Sequence, residues 1–154
     1  GCIGIAVFAQ VSNARVDFGE IEPRHFPTVE KSLRENGIGA SRARMIQTDV
    51  FSNITDRYDV VLANPPYIDS SVQNPDLVQE PPEALYAEDG GFKLIEKTLR
   101  AVREHLNPGG QLWLEHDPGQ SARILSLATE LGLIATTHTD QFGTERYTVA
   151  YCRT

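Results

Sequence analysis

Tyr58-Asp59-Val60-Val61-Leu62-Ala63 is a strand-length run rich in β-branched and aromatic residues, and it stops at two consecutive prolines, Pro65 and Pro66. Neither a helix nor a central strand can continue across positions 64 to 67, because each proline fixes φ and removes a backbone donor. Each also forces the residue before it, Asn64 and then Pro65, into an extended conformation. The chain is thereby committed to a buried strand that ends in a rigid loop, Asn64-Pro65-Pro66-Tyr67. That loop offers acceptors only: the side-chain oxygen of Asn64 and the carbonyl of Pro65. Two such acceptors hold the two hydrogens of a planar NH2 group, and the flat Tyr67 ring stacks on its plane. The face of the nitrogen is left open to alkylation. An amide or aromatic amine is a poor nucleophile, so orientation toward an electrophile is what such a loop supplies. The bland alternative is that the prolines merely end a strand.

The flanking sequence sets that loop in an alternating order of elements. Gly1 to Gln10 is an apolar, small-residue segment suited to packing closely on a sheet. Ala14 to Glu20 predicts a short strand, and Pro23 the first turn of a helix carrying Phe26, Val29 and Leu33, stopped at Asn36-Gly37. Ala43 to Gln47 predicts a strand. Residues 64 to 91 are proline-rich without an apolar period, which predicts a long functional loop. Phe92, Ile95, Leu99, Val102 and Leu106 follow helical spacing, and Asn107-Pro108-Gly109-Gly110 is expected to end that helix. Gln111 to Glu115 predicts a strand, with Trp113 in the core, and Gln120 to Leu131 a helix. Leu133 to Thr139 and Arg146 to Cys152 predict two strands joined through Gly143. Strands alternating with helices imply a three-layer α/β fold whose mostly parallel sheet ends in an antiparallel hairpin, with ligands expected at the carboxyl ends of the strands.

The 154 residues suit one domain, and 40% hydrophobic with 23% charged residues suits a packed core. Fourteen Lys+Arg against twenty-one Asp+Glu give a net charge of -7, which argues against a module that grips phosphate backbones unaided. Cys2 and Cys152 stand at opposite ends, with neither disulfide nor zinc spacing, so no metal is expected and both read as buried or half-buried thiols in a reducing, intracellular setting. No apolar run approaches a membrane span, and no signal peptide is recognisable.

The Asn64-Pro65-Pro66-Tyr67 loop after its strand resembles the motif of S-adenosylmethionine-dependent amino-methyltransferases, a set acting on adenine N6, guanine N2 or protein glutamine N5. Glu80-Pro81-Pro82-Glu83-Ala84-Leu85 followed by Glu88-Asp89-Gly90-Gly91-Phe92 is similar to a segment of the HemK family, the release-factor glutamine N5-methyltransferases. Gly1 to Ala6, Asn107 to Gly110, Leu114-Glu115 with Gln120, and Asp140 to Arg146 fall in that family's order, so the resemblance spans nearly the whole chain. It implies a Rossmann-like class I methyltransferase fold and methyl transfer from S-adenosylmethionine to the glutamine amide of the Gly-Gly-Gln motif in a class I peptide release factor. The expected protein is a cytoplasmic monomer, or a mitochondrial one in a eukaryote, without direct nucleic-acid or membrane partners.

Carried over to this chain, the family's acidic residue for both ribose hydroxyls falls on Glu20, with Asp17 the rival inside the strand. Asp49 is implied to receive the adenine amine, with Val50 and Phe51 flanking the ring. Gly1 corresponds to the last glycine of the family's Gly-rich loop, and Asn64, Pro65, Pro66 and Tyr67 to its acceptor-binding loop. The rest of that Gly-rich loop, the first strand central to the sheet, and an N-terminal helical docking domain would all lie upstream of Gly1, so the catalytic domain at 1–154 is expected to be N-terminally incomplete. His25, His105, His116 and His138 match no nucleophile motif and read as surface or packing residues. Arg42 and Arg44 read as a solvated face, and His116-Asp117-Pro118 as a helix N-terminal turn. Two alternatives stay open: a nucleic-acid amino-methyltransferase, which shares the Asn-Pro-Pro-Tyr loop, and an inactive fragment that only binds a partner.

Overall fold

The computed structural model describes residues 1–69 and 85–153, and the chain divides into two compact units, Gly1–Thr55 and Asp56–Thr154. Glu80 to Ala84, part of the segment resembling the HemK family, lie outside the described residues.

In the first unit, helix α1 (Cys2–Gln10) is followed by strand β1 (Val16–Glu20), helix α2 (Phe26–Glu35) and strand β2 (Ala43–Gln47). β1 and β2 pair in parallel, from Val16 opposite Ala43 to Glu20 opposite Gln47. Phe8, Phe18, Val29 and Leu33 make the buried centre. The small residues of α1 are there for close approach: a Cβ on Gly4 would come within 2.3 Å of the Phe18 ring. Cys2 is exposed rather than buried, because the inward face of α1 is taken by Gly4 and Phe8. Arg42 is not merely solvated; it donates to the carbonyls of Ala14 and Val11 and lies over the Phe8 ring. Arg44 pairs with Asp17 through two hydrogen bonds.

In the second unit, β3 (Tyr58–Ala63), β6 (Leu106–Glu115), β8 (Glu145–Cys152) and β7 (Leu133–Thr139) form one sheet in the order β3-β6-β8-β7. β3 runs parallel to β6, and the hairpin β7–β8 is antiparallel. Among the described residues, β1 pairs with β2 alone and β3 with β6 alone. Helices α3 (Lys93–Val102) and α4 (Ser121–Glu130) bury Ile95, Leu99, Val102, Ile124 and Ala128, and Leu112 and Leu114 of β6 are buried with them.

Alternation then sends the neighbours of Leu112 and Leu114 to the opposite face. Trp113 is 40% exposed rather than a core residue, and its register partner Leu62 is 41% exposed. β3 is therefore only half-buried, not the fully buried strand its composition suggests. Trp113 stacks on Tyr147, which stacks in turn on His138.

Two further expectations need correction. Asn107-Pro108-Gly109-Gly110 does not end the preceding helix, which stops at Val102. It lies within β6, where residues 107–110 bulge out opposite Asp59 and the amide of Asn107 donates to the Asp59 carboxylate at 2.8 Å. The stretch expected to be loop carries two short strands, β4 (Ile68–Asp69) and β5 (Tyr86–Ala87), paired in parallel. Residues kept extended after the prolines meet their backbone hydrogen bonds by pairing.

Candidate active site

Glu20 is the last residue of β1, half-buried, and its Oε1 accepts from the amide of Glu22 at 2.9 Å. The neighbouring strand ends at Gln47, and the Thr48 amide donates to the Glu20 carbonyl at 2.9 Å, so the turn holding Asp49, Val50 and Phe51 begins beside Glu20. All three are half-buried. Gly1, exposed, caps the start of α1, and a Cβ there would come within 3.0 Å of Val29 in the same unit. Asp17 sits inside the strand and is engaged by Arg44 at 2.5 Å.

The turn after β2 has a feature the sequence does not announce. Val50 has φ +57°, a left-handed conformation that a β-branched side chain rarely adopts. It is held by short polar side chains. The hydroxyl of Thr48, 4% exposed, donates to the Val50 carbonyl and accepts from the Asn53 amide at 3.1 Å. Ser52 Oγ accepts from the Asp49 amide, and the Asn53 side chain donates to the Gln47 carbonyl at 2.8 Å.

In the second unit, Asn64-Pro65-Pro66-Tyr67 leaves the carboxyl end of β3, with Asn64 exposed and the next three residues half-buried. Its neighbour β6 ends at Glu115, and the Tyr67 hydroxyl donates to Glu115 Oε1 at 3.1 Å. Burial holds the Tyr67 phenol above its ordinary pKa; the Glu115 carboxylate adds to that shift, and the Arg146 guanidinium opposes it. The Tyr67 carbonyl accepts from Gln120 Nε2 at 3.1 Å. A Cβ on Gly91 would lie 1.8 Å from that carbonyl oxygen, and Gly91 has φ +78°. Asp89, Gly90 and Gly91 are all left-handed, and Arg123 ties Asp89 down at 2.6 Å while lying over the Phe92 ring.

The sequence-based candidates thus fall into two sets, each at the carboxyl ends of parallel strands: Glu20 with Asp49 to Phe51 in one unit, and Asn64 to Tyr67 in the other. Residues that sequence reasoning leaves without a task are Thr48, Glu115, Gln120 and Gly91. Their one signal is that Glu115, Gln120 and Gly91 belong to the segments that carry the family resemblance.

Known proteins resemble this chain in sequence and in fold. Residues 1–83 match the model of the family described as methyltransferase small domain. Over 126 residues the chain is 30% identical to a release factor glutamine methyltransferase of Francisella tularensis subsp. tularensis, an alignment covering 79% of this chain and 44% of that protein. It is also 30% identical to a ribosomal protein uL3 glutamine methyltransferase of Bradyrhizobium diazoefficiens, covering 78% of this chain and 39% of the relative. The crystal structure of a methyltransferase from Pyrococcus furiosus superposes with a TM-score of 0.70 at 18% identity, over 97% of this chain and 68% of that one. The chain spans half or less of the length of the curated relatives it matches.

Proposed function

Because this chain belongs to the methyltransferase small-domain family and has the class I methyltransferase fold, we propose that residues 1–154 form the catalytic domain of an S-adenosylmethionine-dependent methyltransferase acting on a glutamine side-chain amide, in a class I peptide release factor. The protein acts as a monomer inside the cell, in the cytoplasm or, in a eukaryote, the mitochondrion, without gripping nucleic acid itself. Among the described residues no helix is long and apolar enough to cross a membrane.

The residues present suit the cofactor chemically. Ribose hydroxyls and the adenine amine are donors, and the half-buried carboxylates of Glu20 and Asp49 are acceptors at adjacent strand ends. Val50 and Phe51 would hold the adenine ring, and Gly1 would serve the methionine half. When bound, S-adenosylmethionine supplies an electrophilic methyl group. The chain's own work is at the acceptor. Asn64 Oδ1 and the Pro65 carbonyl take the two amide hydrogens, the prolines keep those acceptors rigid, and Tyr67 lies against the amide plane. An amide held in this way would have its remaining face open to alkylation. The loop contributes no base, so the proton would pass to solvent once the nitrogen has become cationic.

The observation that carries this reading is the fixed Tyr67 beside a loop of acceptors at the end of β3. The test is incorporation of label from the cofactor by the full-length polypeptide, offered release factor, ribosomal protein uL3 and nucleic acid in parallel. Label at the glutamine of the Gly-Gly-Gln motif is the expected result, with the mass shift mapped by peptide analysis. Label in nucleic acid alone overturns it, and absence of cofactor binding to residues 1–154 by calorimetry identifies an inactive fragment.

A further inference from the structure

Gln120 is 8% exposed, and its side-chain amide is fully engaged. Nε2 donates to the Tyr67 carbonyl and to the Gly90 carbonyl, both at 3.1 Å, and Oε1 accepts from the Asp117 amide at 3.1 Å. A side chain with two N–H donors and one carbonyl at this reach is a glutamine; glutamate offers the acceptor without the donors. The turn that carries Gln120 is itself fixed. Asp117 Oδ1 accepts from the Gly119 amide at 2.8 Å, completing a reciprocal cap with Gln120. Beneath it, the wholly buried His116 bonds to the Asp117 carbonyl through Nδ1 and to the Thr148 hydroxyl through Nε2, both at 2.9 Å. The Asp117 carbonyl can only accept, so Nδ1 carries a hydrogen. At the other end of Tyr67, the phenol is held by Glu115 at 3.1 Å.

We infer that Glu115 and Gln120 are positioning residues that clamp Tyr67 at its hydroxyl and at its carbonyl, fixing the plane against which the acceptor amide lies and locking the loop to the Gly90–Gly91 turn. The inference rests on the reading of Asn64 to Tyr67 as the acceptor loop. Both residues act through Tyr67. The cost of losing the clamp is therefore one of orientation: the acceptor still binds, and the fraction of bound encounters with nitrogen aimed at the methyl group falls.

The test uses the full-length polypeptide and reads kcat, both KM values, thermal unfolding, and hydrogen exchange of the Tyr67–Asp69 amides without ligand. Gln120→Glu keeps side-chain volume and the bond from Asp117 while removing both donors. It is expected to lower kcat by about 10²-fold, the scale of a small misplacement of reacting groups, with the cofactor KM unchanged and faster exchange at Tyr67–Asp69. Glu115→Ala is expected to lose about tenfold, one hydrogen bond to a charged group, while Glu115→Gln keeps an acceptor for the phenol and recovers most of it. Wild-type kcat and wild-type exchange in Gln120→Glu overturn the clamp. Should wild-type protein methylate something other than release factor, the functional assignment fails while the exchange measurement still decides the clamp. If Gln120→Glu unfolds, the contrast between Glu115→Ala and Glu115→Gln decides it: equal losses overturn it.

Discussion

The turn after β2 and the loop after β3 occupy equivalent positions, each leaving the carboxyl end of a parallel strand, and they reach rigidity by opposite means. Around Val50 the backbone is strained, and the braces are local: Thr48, Ser52 and Asn53 all lie within a few residues of it. Around Tyr67 the prolines have already fixed the backbone, and the braces are remote in sequence: Glu115 is 48 residues away and Gln120 is 53. A locally braced turn can hold a flat ring between side chains while the rest of the chain shifts. A remotely braced loop keeps its geometry only when the whole unit is folded. The first suits affinity for a cofactor and the second suits alignment of an acceptor, which gives mutations in the two places different kinetic signatures.

The largest expected separation comes from Asn64→Ala. Removing one preorganised hydrogen-bonding group costs about 10²- to 10³-fold in kcat, and cofactor affinity measured by calorimetry should stay within a few fold. Turnover at the wild-type rate would remove Asn64 from the acceptor site. Next is Glu20→Ala, expected to weaken cofactor binding by about 1.5 to 3 kcal/mol for each charged-to-hydroxyl bond lost. Asp17→Ala breaks the partly exposed pair with Arg44 and should leave that affinity alone. Equal losses in the two variants would mean that the strand presents the other carboxylate.

Gly91→Ala probes the remote bracing directly. Its Cβ has no room beside the Tyr67 carbonyl, 1.8 Å away, and φ +78° is unfavourable for alanine. A loss of about 1 to 3 kcal/mol in unfolding free energy is expected from the overlap and strain. It should come with a fall in kcat and no change in cofactor KM. A matching fall in cofactor affinity would show that the two regions do not divide the work as argued.

What was legible in the sequence follows the same division. Ala43 to Gln47 and Tyr58 to Ala63 have the observed strand limits, and the Ile95, Leu99, Val102 stripe marks a real helix, because periodicity is a local property of neighbouring residues. The exposure of Leu62 and Trp113 was not legible, since which face of a strand is buried depends on where α3 and α4 pack. Asn107 to Gly110 carries helix-stop chemistry, yet the residues serve as a bulge opposite Asp59, a partner set by pairing with a strand far back in the chain. The candidate residues at strand ends were found because motifs are contiguous. Gln120 was seen only as part of a pattern, because its partners are assembled by the fold. The left-handed Val50 left no trace at all, valine being among the last residues expected there.

Val50→Gly gives the smallest effect and the finest test of the local turn. A left-handed conformation costs an L-residue about 1 to 2 kcal/mol, which glycine escapes. Glycine loses about 0.5 to 1 kcal/mol to the greater freedom of its unfolded chain, and the half-buried valine side chain gives up some packing. These terms nearly cancel, so unfolding free energy should move by no more than about 1 kcal/mol. If the strained valine is kept to flank the adenine ring, cofactor affinity should still fall by about fivefold, the worth of one to two methyl groups removed from an apolar contact. Stability flat and affinity reduced is the signature of strain held for binding. A clear destabilisation with unchanged affinity would make Val50 a packing residue, held in place by Thr48, Ser52 and Asn53.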